Sequence, residues 1–129
     1  GIDANPDAVQ LAQEKLPLED IRLGDLSVLP WFEKSMDVVL SDAALMYIHP
    51  DRIQQVLREL VRVSRQHLIL VERQPEGTQS ELTAAVWAHP LEYFFKGMGC
   101  QVESRKFTEK EWPDSKNWKK YGYFIKVTV

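Results

Sequence analysis

The chain has 129 residues, 44% of them hydrophobic and 27% charged, with a formal net charge of −3. That length and balance suit one globular domain with a single core, and the acidic excess removes the electrostatic case for nucleic-acid binding. The longest apolar runs are about five residues where a membrane-spanning helix needs roughly 18, and the one cysteine, Cys100, has no partner for a disulfide or a metal cluster.

These features point to a soluble, cytoplasmic protein with no bound metal and no membrane partner, in which Cys100 is a buried structural thiol. Charge is uneven along the chain. Residues 1–51 carry ten acids against three bases, whereas residues 105–120 carry six bases against three acids. The basic stretch reads as a solvated, lysine-rich loop, with a patch that attracts an anionic substrate as the alternative.

The elements alternate. Gly1–Asp3 reads as the end of a strand, and Asn5-Pro6 supplies a cap and a first-turn proline for a helix over Pro6–Lys15. Ile21–Leu23 is a short strand before Gly24-Asp25. Met36–Ser41 carries the continuous apolar run Val38-Val39-Leu40 of a parallel strand covered on both faces. From Pro50 to Ser64, Ile53, Val56, Leu57, Leu60 and Val61 form one helical stripe. His67–Val71 repeats the buried-strand pattern, and Gln74–Gly77 forms a loop.

Thr78 with Glu81 then reads as a capping box for a helix bearing Leu82, Ala85, Val86 and His89, broken by Pro90. Leu91, Phe94, Phe95 and Met98 keep helical spacing up to Gly97 and Gly99, and a strand over Cys100–Phe107 follows. Thr108 with Glu111 forms a second capping box that starts a short turn before Trp112-Pro113. Tyr121–Val129 alternates as a final strand with unlike faces. The expected fold is α/β: a single domain over residues 1–129, with a mostly parallel Rossmann-like sheet flanked by helices and an antiparallel C-terminal strand. The strands at 2–3, 21–23, 36–41 and 67–71 are expected to be parallel in one sheet.

Asp3, Asp25 and the Ser41-Asp42 pair fall at the C-terminal ends of successive strands, the edge where open α/β sheets bind ligands. The Asp3 carboxylate suits the two hydroxyls of a ribose; its alternative role is a partner for the N-terminus of the first helix.

Gly1-Ile2-Asp3-Ala4-Asn5-Pro6, Leu23-Gly24-Asp25-Leu26, Met36-Asp37-Val38-Val39-Leu40-Ser41 and Ala44-Leu45-Met46-Tyr47-Ile48-His49-Pro50-Asp51, in that order, resemble the class I S-adenosylmethionine-dependent methyltransferases. The resemblance implies S-adenosylmethionine as cofactor, with Asp3 on the ribose and Ala4 beside the adenine. It also implies Asp25 on the adenine amino group, the Leu26 amide on a ring nitrogen and Ser41 near the methionine portion. A small-molecule acceptor would be approached by Asp42, Tyr47, His49, Glu72 and Arg73.

A general base matters only where the acceptor must lose a proton, and Asp42 and His49 are the candidates. His49 directly precedes Pro50 and suits a helix cap as well. His89 reads as a packed core histidine, and Trp87, Trp112 and Trp118 as core aromatics. The family's first strand and its glycine-rich loop are not found in the 129 residues, so the sequence reads as an N-terminally truncated piece of such a domain with weak grip on the methionine end. A seam is then expected between the strands ending at Asp3 and Ser41, closed either by those strands or by a second copy in a homodimer. The expected function is methyl transfer to a small-molecule acceptor. The alternatives are a non-catalytic interaction or oligomerisation module, and half of a nicotinamide-dependent oxidoreductase, which Gly24-Asp25-Leu26 and the antiparallel ending disfavour.

Overall fold

In the computed structural model, which describes residues 1–113 and 115–129, strand β1 (Ile2–Asp3) leads into helix α1 (Pro6–Lys15). The Asn5 side chain accepts a hydrogen bond from the Asp7 amide and Pro6 occupies the first turn, so the cap expected from Asn5-Pro6 forms. Strand β2 (Arg22–Leu23) pairs parallel with β1. Gly24 follows, at a point where a Cβ would run into the Ile2 side chain at 2.6 Å.

Strand β3 (Met36–Asp42), helix α2 (Pro50–Val63) and strand β4 (Ser64–Arg73) make a βαβ unit whose strands are parallel. The apolar stripe of α2 buries Ile53, Val56, Leu57, Leu60 and Val63. These pack against Leu68 and Leu70 of β4, Leu91 and Phe95, and Ile125 and Val127, forming the core. Each such side chain contributes roughly 1.5–3 kcal/mol by leaving water. The polypeptide ends as an antiparallel finish: β8 (Gly122–Thr128) runs antiparallel to β4 on one side and to β7 (Gln101–Lys106) on the other.

The arrangement departs from expectation in three places. First, the parallel strands do not form one sheet: β1 and β2 stand as their own pair, and β3-β4-β8-β7 is a separate four-stranded sheet. The two facing edges have not closed up. The loop after β2 is pinned to α2 instead, since Arg62 donates to the carbonyls of Leu29 and Trp31 and Glu59 accepts from the Leu29 amide. In consequence Val38 and Leu40 of β3, which read as buried, are 53% and 69% exposed.

Second, the segment read as a helix at Leu82–His89 is a hairpin of β5 (Glu81–Thr83) and β6 (Val86–Ala88). Its turn puts Ala84 and Ala85 at φ 48° and 70°, the left-handed pair that two-residue hairpins require and that Asn-Gly ordinarily supplies. Third, helix α3 (Leu91–Gly97) forms as spaced and the Thr108–Glu111 box caps the expected short turn, but a further helix follows that the spacing does not show. The helix in this region is α4 (Lys116–Tyr121), which carries Trp118 onto Phe107 and Trp112. Gly122 ends it, because a Cβ there would meet the Trp118 carbonyl and the Phe107 ring.

Among the described residues, three of the six bases in the basic stretch are paired: Arg105 with Glu111, Lys106 with Glu76 and Lys119 with Glu109. Cys100 is half-buried, and burial pushes its thiol up from the ordinary value. Among the described residues no cluster of three metal-binding side chains occurs, and no helix is long and apolar enough to cross a membrane.

Candidate active site

The open seam between the β1–β2 pair and β3 is a cleft of roughly 1270 Å³. It gathers Asp3, Ala4, Asp25, Leu26, Ser41, Asp42 and Tyr47. These come from the C-terminal ends of β1, β2 and β3 and the loops behind them, the edge at which the sheet order changes and ligands find open backbone.

Asp3 is exposed, and its Oδ1 accepts from the Asn5 amide at 2.8 Å. It therefore does serve the start of α1, while Oδ2 has no hydrogen-bond partner among the described residues. Asp25 is more engaged. Its Oδ1 accepts from the Ser27 amide and hydroxyl, and its Oδ2 from Arg52 Nη2 at 2.7 Å. The Arg52 hydrogen bond first, then the Ser27 donors, hold the carboxyl at about 2, so it is an ionised acceptor across the neutral range.

Over residues 1–71, the sequence matches the family described as the methyltransferase domain. The chain belongs to that family. No curated protein sequence matches it. Among solved structures, an S-adenosylmethionine-dependent methyltransferase from Methanosarcina mazei is similar at 16% identity and a TM-score of 0.73, covering 99% of this chain and 80% of that one. Another from Mesorhizobium loti is similar at 14% identity and a TM-score of 0.72, covering 100% and 79%. Phosphoethanolamine N-methyltransferase 1 from Haemonchus contortus, solved with phosphoethanolamine and S-adenosylhomocysteine, is similar at 17% identity and a TM-score of 0.69, covering 99% of this chain and 33% of its own. The fold is that of the class I S-adenosylmethionine-dependent methyltransferases, and S-adenosylmethionine is the expected cofactor. The residues present fit its nucleoside half, with a free carboxylate oxygen on Asp3 facing an open cleft. Of the glycines, only Gly1 lines the cleft, so no glycine-rich backbone cradle for the methionine half is seen among the described residues.

The methyltransferase domain does not bring the other candidate residues to the cleft. His49 caps α2, its Nδ1 accepting from the Asp51 amide at 3.3 Å, and its ring meets Trp87 edge-on at 5.6 Å. It caps the helix and is not among the residues that line the cleft. Glu72 and Arg73, expected at the acceptor, are both buried, because successive residues of β4 point to opposite faces and each face is covered. Glu72 Oε1 accepts from the Ser41 hydroxyl and from the Ala44 and Leu45 amides. Burial raises its pKa above the ordinary carboxyl value. Arg73 donates to Thr83 Oγ1 at 3.2 Å under the β5–β6 hairpin and lies 5.3 Å from the Trp118 ring.

His89 is the packed histidine its spacing implies: buried, with Nε2 against the Ile48 carbonyl at 2.9 Å and Nδ1 against Ser80 Oγ at 2.8 Å. Desolvation lowers its pKa. Trp87, Trp112 and Trp118 pack on other rings instead of lining the cleft. Arg52, which the sequence reading missed, does line it. Its partner Asp25 lies 27 residues away, and neither residue carries a local signal of the pairing.

Proposed function

We propose that this domain transfers a methyl group from S-adenosylmethionine to a small-molecule acceptor held at the C-terminal edge of β3. The observation that carries the reading is the meeting of Asp3, Asp25 and Ser41-Asp42 around one cleft. In this reading Asp3 accepts the ribose hydroxyls, Ala4 and Leu26 flank the adenine, and Asp25 shares its carboxylate between Arg52 and the adenine amino group. Ser41 stands on the methionine side. The cofactor, when bound, supplies an electrophilic methyl group on a sulfonium. The protein's part is therefore alignment and exclusion of water, with no covalent intermediate on a side chain. Asp42, exposed and without a hydrogen-bond partner among the described residues, accepts a proton where the acceptor carries one. Tyr47 forms the acceptor's wall. The exposed Val38 and Leu40 on the open edge of β3 also support self-association of the cofactor-free domain, since both line the cleft that the cofactor would fill.

Ultraviolet cross-linking of S-adenosylmethionine labelled in the methyl group, followed by peptide mapping, tests the placement. Label within residues 1–5, 24–29 or 38–47 is the expected result. Label confined to other segments would overturn it.

A further inference from the structure

Glu72 is fully buried, and its hydrogen bonds among the described residues all fall on one oxygen. Oε1 accepts from Ser41 Oγ at 2.7 Å, the Ala44 amide at 2.9 Å and the Leu45 amide at 3.0 Å. Oε2 is buried with no hydrogen-bond partner among the described residues. Burying a carboxyl is costly, and a hydrophobic residue of similar size would fill the same space without that cost. What the carboxyl does here is specific to the segment leaving β3.

That segment is not self-sufficient. Ala43 is held at φ 52°, a conformation unfavourable for any residue with a Cβ. The 3-10 turn that follows, Leu45–Tyr47, starts at Ala44 without a side-chain cap. The amides of Ala44 and Leu45 are the orphan donors of its first turn, and Glu72, reaching across from β4, satisfies both. Ser41, Asp42, Ala43, Ala44 and Tyr47 of this segment all line the cleft.

We propose that Glu72 is a positioning residue for the reaction: from inside the core it caps the Leu45–Tyr47 turn and thereby sets the Ser41–Tyr47 wall of the cleft. The proposal rests on the reading of the cleft given above. A leucine at position 72 keeps the volume and loses the acceptor, whereas glutamine keeps Oε1.

Amide hydrogen exchange on the cofactor-free chain tests it. In Glu72→Leu, the Ala44 and Leu45 amides exchange roughly tenfold to a hundredfold faster, while those of Leu60 and Ile125 stay protected. In Glu72→Gln, slow exchange and the native Tyr47 ring signals return. Unchanged Ala44 and Leu45 exchange in a folded Glu72→Leu chain, or failure of glutamine to restore it, would overturn the proposal. Should the leucine variant not fold, scalar couplings across hydrogen bonds from the Glu72 carboxyl carbon to the two amides are expected in the unaltered chain, and their absence overturns it. Exchange changes as expected in a chain that binds no S-adenosylmethionine would refute the role in methyl transfer while leaving the cap intact, which separates the two claims.

Discussion

Replacing Asp25 with asparagine removes the charge that ties the wall after β2 to α2, while leaving an oxygen for the Ser27 donors. The Asp25 carboxyl falls from its ordinary 3.8 to about 2 in the fold. At 1.36 kcal/mol for each tenfold change in proton affinity, that fall corresponds to about 2.4 kcal/mol if fully realised. It is not fully realised, because Asp25 and Arg52 have 53% and 52% of their side chains exposed. Solvent screening reduces the contribution to about 0.5–1 kcal/mol. The folded-state pKa is depressed, so this stability is present above pH 3.8 and is lost as pH falls toward 2. Urea unfolding of the native chain and Asp25→Asn at a series of pH values measures it. The native chain is expected to be more stable by about 0.5–1 kcal/mol at pH 7, with the gap closing in acid. A gap that stays constant down to pH 2 would show that the Arg52 contact is not what lowers the carboxyl.

Joint replacement Ala84→Asn and Ala85→Gly gives the β5–β6 turn residues suited to positive φ; it should stabilise the domain by about 1–2 kcal/mol and raise Tm by about 3–6 °C. A lower Tm would mean that the turn is not left-handed. Burial holds His89 below its ordinary 6.5, so its folded pKa is depressed and stability falls as pH drops from above 6.5. Urea unfolding should show this loss between pH 7 and 5 in the native chain and a smaller slope in His89→Gln; equal slopes would exclude the histidine as its source. If the open edge of β3 self-associates, sedimentation velocity will show a dimer at micromolar concentration that Leu40→Lys dissolves. A native chain that sediments as a monomer at every concentration refutes the association.

Where the apolar pattern is long and periodic, the fold is legible in the sequence. The α2 stripe, the Leu68–Val71 run and the alternation of the last strand each fix an element that buries their apolar side chains, and the Val38–Leu40 run fixes a strand although Val38 and Leu40 lie exposed on its open edge. The 81–88 hairpin is not legible, because Ala84 and Ala85 are helix formers held in a left-handed turn by their surroundings. Pattern also cannot show that β1 and β3 stay unpaired: both strands look buried, and the anchoring of the loop after β2 to Glu59 and Arg62, some 30 residues further on, has no local signal. At the site, the strand ends place Asp3, Asp25 and Ser41-Asp42 around one cleft. The same logic misplaced Glu72 and Arg73, because a strand end says where a residue lies but not whether neighbouring loops cover it. His49 was readable both as a candidate base and, from Pro50, as a cap, and the cap is the role that forms.

The central claim is that the cleft holds the nucleoside of S-adenosylmethionine on Asp3, with little contribution from the methionine end. Calorimetric titration of the native chain and of Asp3→Ala with S-adenosylmethionine and with adenosine tests it most directly. Adenosine is expected to bind nearly as well as the whole cofactor, and Asp3→Ala to weaken both by roughly tenfold or more. Affinities that Asp3→Ala leaves untouched, or cofactor binding far tighter than that of adenosine, would contradict the account.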